Sequence, residues 1–125
     1  MFKKLFLILS LTLSSMAYDF GDVPKVKAEE IPIGKATMIQ FGKTECIWCE
    51  HMAPYLKEIK AEFPKTPIYY VNTDLDIAGM IKYNVIVLPL SVFLDEQGNV
   101  IGRVEGYLMP DRIMELLEAY GVLVK

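Results

Sequence analysis

Apolar residues along this chain follow two rhythms. The run Thr37-Met38-Ile39-Gln40-Phe41 is short and nearly unbroken, which predicts a buried central strand. Beyond it, Met52, Leu56, Ile59 and Phe63 recur at i, i+4, i+7 and i+11, one face of a helix. Lys57, Glu58, Lys60 and Glu62 form its solvated side, and Pro54 within it removes a backbone donor and predicts a kink. Pro64 and Pro67 close that helix and bound a second strand, Ile68-Tyr69-Tyr70-Val71. Residues 75–83 predict a shorter helix, capped by Thr73 or Asp74. Residues 85–94 are apolar and β-branched but hold Pro89, awkward inside a central strand. A strand that begins just after a cis Leu88–Pro89 bond accounts for it. Asp95-Glu96-Gln97-Gly98-Asn99 predicts a turn, and Val100-Ile101-Gly102-Arg103-Val104 the returning strand of a hairpin. Gly106 and Pro110 precede a last helix with Ile113, Leu116, Leu117 and Tyr120 on one face and Gly121 at its end. The order β-α-β-α-β-β-α predicts an α/β fold, a mixed sheet flanked by helices on both faces.

The first residues follow a different pattern. Met1-Phe2-Lys3-Lys4 is basic, residues 5–13 are apolar apart from Ser10 and Thr12, and Ser15-Met16-Ala17 places small residues at −3 and −1 of a cleavage site. This predicts a secretory signal peptide over residues 1–17, cut before Tyr18, and hence an exported, periplasmic protein. The apolar stretch falls well short of the ~20 residues a membrane-spanning helix needs. Cleavage leaves 108 of the 125 residues and takes the formal charge from −3 to −5, because Lys3 and Lys4 depart with the leader. A mildly acidic chain without a basic block offers no footprint for nucleic acid. Residues 18–35 predict an N-terminal surface segment with one short strand or helix near 26–31, and residues 36–125 a single domain.

The two cysteines are Cys46 and Cys49, in Cys46-Ile47-Trp48-Cys49, between the first strand and the first long helix. Unpaired backbone N–H groups and the positive dipole end at a helix start stabilise a thiolate, the attacking species in disulfide exchange. A second thiol one turn away can resolve the mixed disulfide. Other readings compete. A structural bridge over so small a loop constrains the unfolded chain little. Zinc wants four ligands, and His51 is the one histidine in the chain. Covalent haem attachment wants a histidine directly after the second cysteine, where Glu50 stands. Redox chemistry suits the strand–loop–helix setting best, with no cofactor and no metal required. A metal-handling or redox-inert module using Cys46, Cys49 and His51 is the alternative from another class.

With these features in order, residues 36–122 resemble the thioredoxin superfamily. Cys46 and Cys49 follow a buried strand, and Pro54 stands five residues after Cys49. Lys82-Tyr83-Asn84-Val85 with Leu88-Pro89 is similar to the family's cis-proline region, and residues 93–106 to its closing hairpin. The resemblance implies the thioredoxin fold and a redox-active disulfide with Cys46 as nucleophile and Cys49 as resolving thiol. It also implies Pro89 as the cis-proline and a substrate-binding surface at Trp48, Leu88 and Pro89. The chain departs from thioredoxins proper at Gln40, where they carry a buried aspartate, at Tyr70, where they carry its companion lysine, and between the cysteines. Ile47 and Trp48 bring no positive charge and Glu45 disfavours a thiolate at Cys46, so the pair leans towards a reductase. His51 is a minor candidate for tuning it. The expected partners are protein disulfides or mixed disulfides and a membrane-embedded electron donor, with the protein a monomer. A disulfide oxidase or isomerase is the enzyme alternative.

Overall fold

The computed structural model describes residues 18–125, so the signal peptide expected over residues 1–17 lies outside the described residues. Strand β1 (Thr37–Gly42) is buried along its whole length, as an unbroken apolar run covered on two faces requires. Helix α1 (Ile47–Glu62) crosses over to β2 (Ile68–Asn72), which pairs parallel with β1. Helix α2 (Ile77–Lys82) leads towards β3 (Leu90–Leu94), antiparallel to β1, and β4 (Val100–Glu105) closes a hairpin with β3. Helix α3 (Pro110–Ala119) follows, and the sheet order is β2-β1-β3-β4.

Alternation along the strands divides the interior in two. Met38, Ile68, Tyr70 and Phe93 face the apolar stripes of α1 and α3, where Met52, Leu56, Ile113 and Leu117 are buried. Ile39, Phe41, Val71, Val92 and Leu94 face the opposite way, against Tyr83 at the end of α2 and a 3-10 turn at Ala28–Glu30. The arrangement is a thioredoxin-like mixed sheet with helices on both faces. Among the described residues, no helix is long and apolar enough to cross a membrane.

Two local readings are corrected. Residues 18–35 hold the short helix expected near 26–31, the 3-10 turn at Ala28–Glu30, but are no mere surface segment, because Phe20 and Val23 are buried in the first core and Ala28 and Ile31 in the second. The segment also lengthens the sheet: Lys25 bridges Tyr70 in parallel, with the Val26 N–H donating to Tyr70 O at 3.0 Å and the Tyr70 N–H to Pro24 O at 2.9 Å. The cap of α2 is neither Thr73 nor Asp74 but Asp76, whose Oδ1 accepts the Gly79 N–H at 2.9 Å. Its Oδ2 accepts the Ala28 N–H at 2.8 Å, and the side chain is 7% exposed. The other two residues are engaged elsewhere: Thr73 Oγ1 donates to Gly42 O, and Asp74 Oδ2 accepts the Thr44 N–H. Such a cap contributes about 1 kcal/mol.

Candidate functional site

The site lies where β1 ends and α1 begins. Cys46 is the N-cap of α1, extended at φ −148° and ψ 102°, and its Sγ accepts the Cys49 N–H at 3.3 Å. The sulfur thus faces one of the amides that the first helical turn leaves without an intrahelical partner. Cys46 and Cys49 form a disulfide with their Cα atoms 5.2 Å apart. The two sulfurs are not equivalent to solvent. Cys46 is half-buried, whereas Cys49 is 3% exposed beneath the helix start.

The corner 43–46 is tied down from several sides. The Thr44 N–H donates to Asp74 Oδ2 at 3.1 Å and Asn72 Nδ2 to Thr44 Oγ1 at 3.3 Å. Tyr18 Oη accepts the Cys46 N–H at 3.0 Å and donates to Thr44 O at 2.5 Å. A groove of about 790 Å³ opens beside Cys46, with Asp19, Glu45, Glu50 and Lys57 in its walls. Three carboxylates to one ammonium make it acidic. The hydrogen bond from Lys57 holds the Asp19 carboxyl below its ordinary range, and the same contact pushes the Lys57 ammonium up. Pro54 stands in the wall of this groove inside α1, where it supplies no N–H to the carbonyl of Glu50.

On the other side of the pair, Trp48 is 54% exposed. Its ring lies 5.5 Å from that of His51 and 5.2 Å from that of Tyr107, centroid to centroid. The hydroxyls of Tyr107 and Tyr55 meet at 2.5 Å, and that bond pushes the Tyr107 phenol up. The Leu88–Pro89 peptide bond is cis; Leu88 is half-buried, Pro89 is buried, and Ile86 and Val87 stand exposed ahead of them. Pro89 O accepts the Gly106 N–H at 2.8 Å, which joins the cis-proline turn to the loop that carries Tyr107 and so to Trp48.

One row across the sheet, Tyr70, Gln40 and Ser91, is polar but uncharged. Gln40 is 2% exposed and lies in register with Tyr70 on one side and Ser91 on the other. Ser91 Oγ donates to Gln40 Oε1 at 2.8 Å, while Gln40 Nε2 and Tyr70 Oη have no hydrogen-bond partner among the described residues. Burial is the main cause that pushes the Tyr70 phenol well above its ordinary range. The Tyr70 hydroxyl lies over Gly42, where an added Cβ would come within 2.7 Å of it. Among the described residues, no group of three or more His, Cys, Asp or Glu side chains is placed to hold a metal ion.

Three aromatic participants, Tyr18, Tyr55 and Tyr107, stand outside the site residues expected from the sequence. Tyr55 carried a signal, seven residues after Trp48 and so two helical turns along the same flank of α1. Tyr18 and Tyr107 carried none, since each reaches the site from an irregular segment remote in sequence.

No protein-family model matches the chain. Individual relatives do. Thioredoxin H5 of Arabidopsis thaliana is 32% identical over 90 residues, which cover 72% of this chain and 75% of that protein. The mitochondrial thioredoxin O of Oryza sativa is 30% identical over 83 residues, but the match spans only 45% of its length. The thiol-disulfide oxidoreductase ResA of Bacillus thuringiensis is 24% identical over 109 residues and matched over 63% of its length. Among solved structures, a thioredoxin-like protein from Clostridium perfringens superposes with a TM-score of 0.65 at 26% identity, covering 81% of this chain and 84% of that one. Fasciola hepatica thioredoxin has the same fold, with a TM-score of 0.64 at 23% identity over 70% of this chain and 83% of that one. With a disulfide between cysteines three apart at the head of a helix, and a relative of matching extent at 32% identity, this chain belongs to the thioredoxin family.

Proposed function

We propose that this protein is an exported thiol–disulfide oxidoreductase that reduces protein disulfides in the periplasm. The observation that carries the reading is the unequal exposure of the pair: Cys46 reaches solvent at the helix start and Cys49 does not. In the reduced form, the Cys46 thiolate attacks one sulfur of a client disulfide, forming a mixed disulfide and releasing the client's other sulfur as a thiolate that takes up a proton. Cys49, after losing its own proton, attacks Cys46 Sγ and expels the second client sulfur. Two electrons pass to the client, which leaves as a dithiol, and the Cys46–Cys49 disulfide forms.

The client would lie across Trp48, Leu88 and Pro89. Residues 86–88 run ahead of β3 outside any strand, and their backbone would pair with an extended segment of the client. The acidic groove favours reduction over oxidation, since no fixed positive charge beside Cys46 outweighs Glu45, Glu50 and Asp19. A membrane-embedded electron carrier would return the pair to the dithiol, and the protein would act as a monomer.

Equilibration with glutathione buffers tests the direction. The disulfide is expected to persist until the buffer is strongly reducing; a pair that stays reduced in mildly oxidising glutathione overturns the reductase assignment. Export has its own measurement. Mass spectrometry of protein recovered from the periplasm should find a chain starting at Tyr18, and intact residues 1–17 would count against processing.

A further inference from the structure

We propose that Tyr18 is a positioning residue for Cys46, an inference that rests on Cys46 being the nucleophile. The Tyr18 hydroxyl accepts the Cys46 N–H at 3.0 Å and donates to Thr44 O at 2.5 Å, with Cys46 O a second acceptor at 3.2 Å. One phenol oxygen therefore pins both ends of the three-residue corner that delivers Cys46 to α1. The Cys46 N–H lies outside the helix, and the groups that α1 supplies do not reach it.

The phenol is itself held from several directions. Its ring packs edge-on against Phe20 at 6.3 Å, and the buried Phe20 stacks on Tyr70 at 4.1 Å. Lys25 Nζ donates to Tyr18 O at 2.9 Å, and the neighbouring Asp19 pairs with Lys57 on α1 at 2.6 Å. The hydroxyl thus arrives preorganised, carried on a strap fastened to the core and to the helix it serves.

The consequence falls on the sulfur. The Cys49 N–H reaches Cys46 Sγ because Cys46 holds the extended N-cap conformation. Fixing the Cys46 N–H fixes that conformation, and so holds the thiolate against the amide and the helix dipole that stabilise it. Without the hydroxyl, the corner samples rotations that carry the sulfur away, and a smaller fraction of Cys46 is ionised at neutral pH.

The test is Tyr18→Phe in the exported chain that starts at residue 18, which keeps the ring and its packing on Phe20. In the reduced protein, iodoacetamide alkylation of Cys46 is followed from pH 5 to pH 10. The midpoint should move up, and the rate at pH 7 should fall about three- to tenfold, the range of a single lost hydrogen bond. Thr66→Val is the control: it removes the hydroxyl that accepts the Val124 N–H, at the end of the sheet remote from Cys46. Its profile should match the wild type. A Tyr18→Phe profile identical to wild type overturns the inference, as does an equal shift in both variants, which would mean general loosening. Should Tyr18→Phe fail to fold, hydrogen exchange of the Cys46 amide in the wild type decides instead: protection supports the clamp, and exchange as fast as an open loop overturns it. If the wild-type Cys46 alkylates no faster than Cys49, the nucleophile assignment fails first, and the two failures are told apart.

Discussion

Cys46→Ser is expected to abolish disulfide reduction, while Cys49→Ser keeps one round of attack and accumulates mixed disulfides. The difference follows from position. Cys46 is the half-exposed cap of α1 with an amide aimed at its sulfur, so losing it removes the sulfur proposed to attack a client disulfide. Cys49 is buried under the first turn and within exchange distance of Cys46 alone. In the Cys49→Ser variant, a client attached through Cys46 has no intramolecular thiol to displace it, and the adduct should survive non-reducing electrophoresis. Double replacement should give neither turnover nor adducts. Adducts that form on Cys46→Ser and are missing from Cys49→Ser would exchange the two roles.

Gln40→Asp should make stability depend on pH in a way the wild type does not. Gln40 is buried in an uncharged row of the sheet, with Ser91 as the hydrogen-bond partner of its side chain and Tyr70 in the neighbouring register position. A carboxyl there meets too few donors to offset its desolvation, so its folded pKa should rise by about two units above the ordinary value near 4. The sign follows from linkage. When the folded pKa is the higher one, the unfolded state releases its proton first, and rising pH favours unfolding across the interval between the two values. Relative to wild type, the variant should therefore lose roughly 2.7 kcal/mol in all between pH 3 and pH 7, levelling off about one unit above the folded pKa. Urea unfolding of both proteins at a series of pH values measures it. A gap that stays constant from pH 4 to pH 8 would show that the site solvates a carboxylate.

Much of this architecture follows from local pattern. The unbroken run at β1, the i, i+4, i+7 stripe of α1 and the turn at residues 95–99 each satisfy a periodicity that needs no distant partner. The corner carrying Cys46 and Cys49 is legible for the same reason, since strand, loop and helix are adjacent in sequence. Competition among distant groups is not legible. Thr73, Asp74 and Asp76 are all competent helix caps, and the choice of Asp76 depends on Gly42 and Thr44 engaging the other two. Phe20 and Val23 likewise show no period; their burial depends on the sheet face that Tyr70 and Met38 create. Tyr107 reaches Trp48 from a turn after β4 that is bonded to Pro89, a contact no local pattern announces.

The two oxygens of Asp76 receive amides from Gly79, three residues away, and from Ala28, forty-eight residues away. One carboxylate therefore serves a local and a remote customer at once, with little water to replace either. Opening the chain around Ala28 would strip α2 of half of its cap's hydrogen bonding, and unwinding α2 would leave the Ala28 amide buried and unanswered. The Ala28 amide and the start of α2 are therefore expected to open together in hydrogen exchange, although all of β1, α1 and β2 lies between them in the chain.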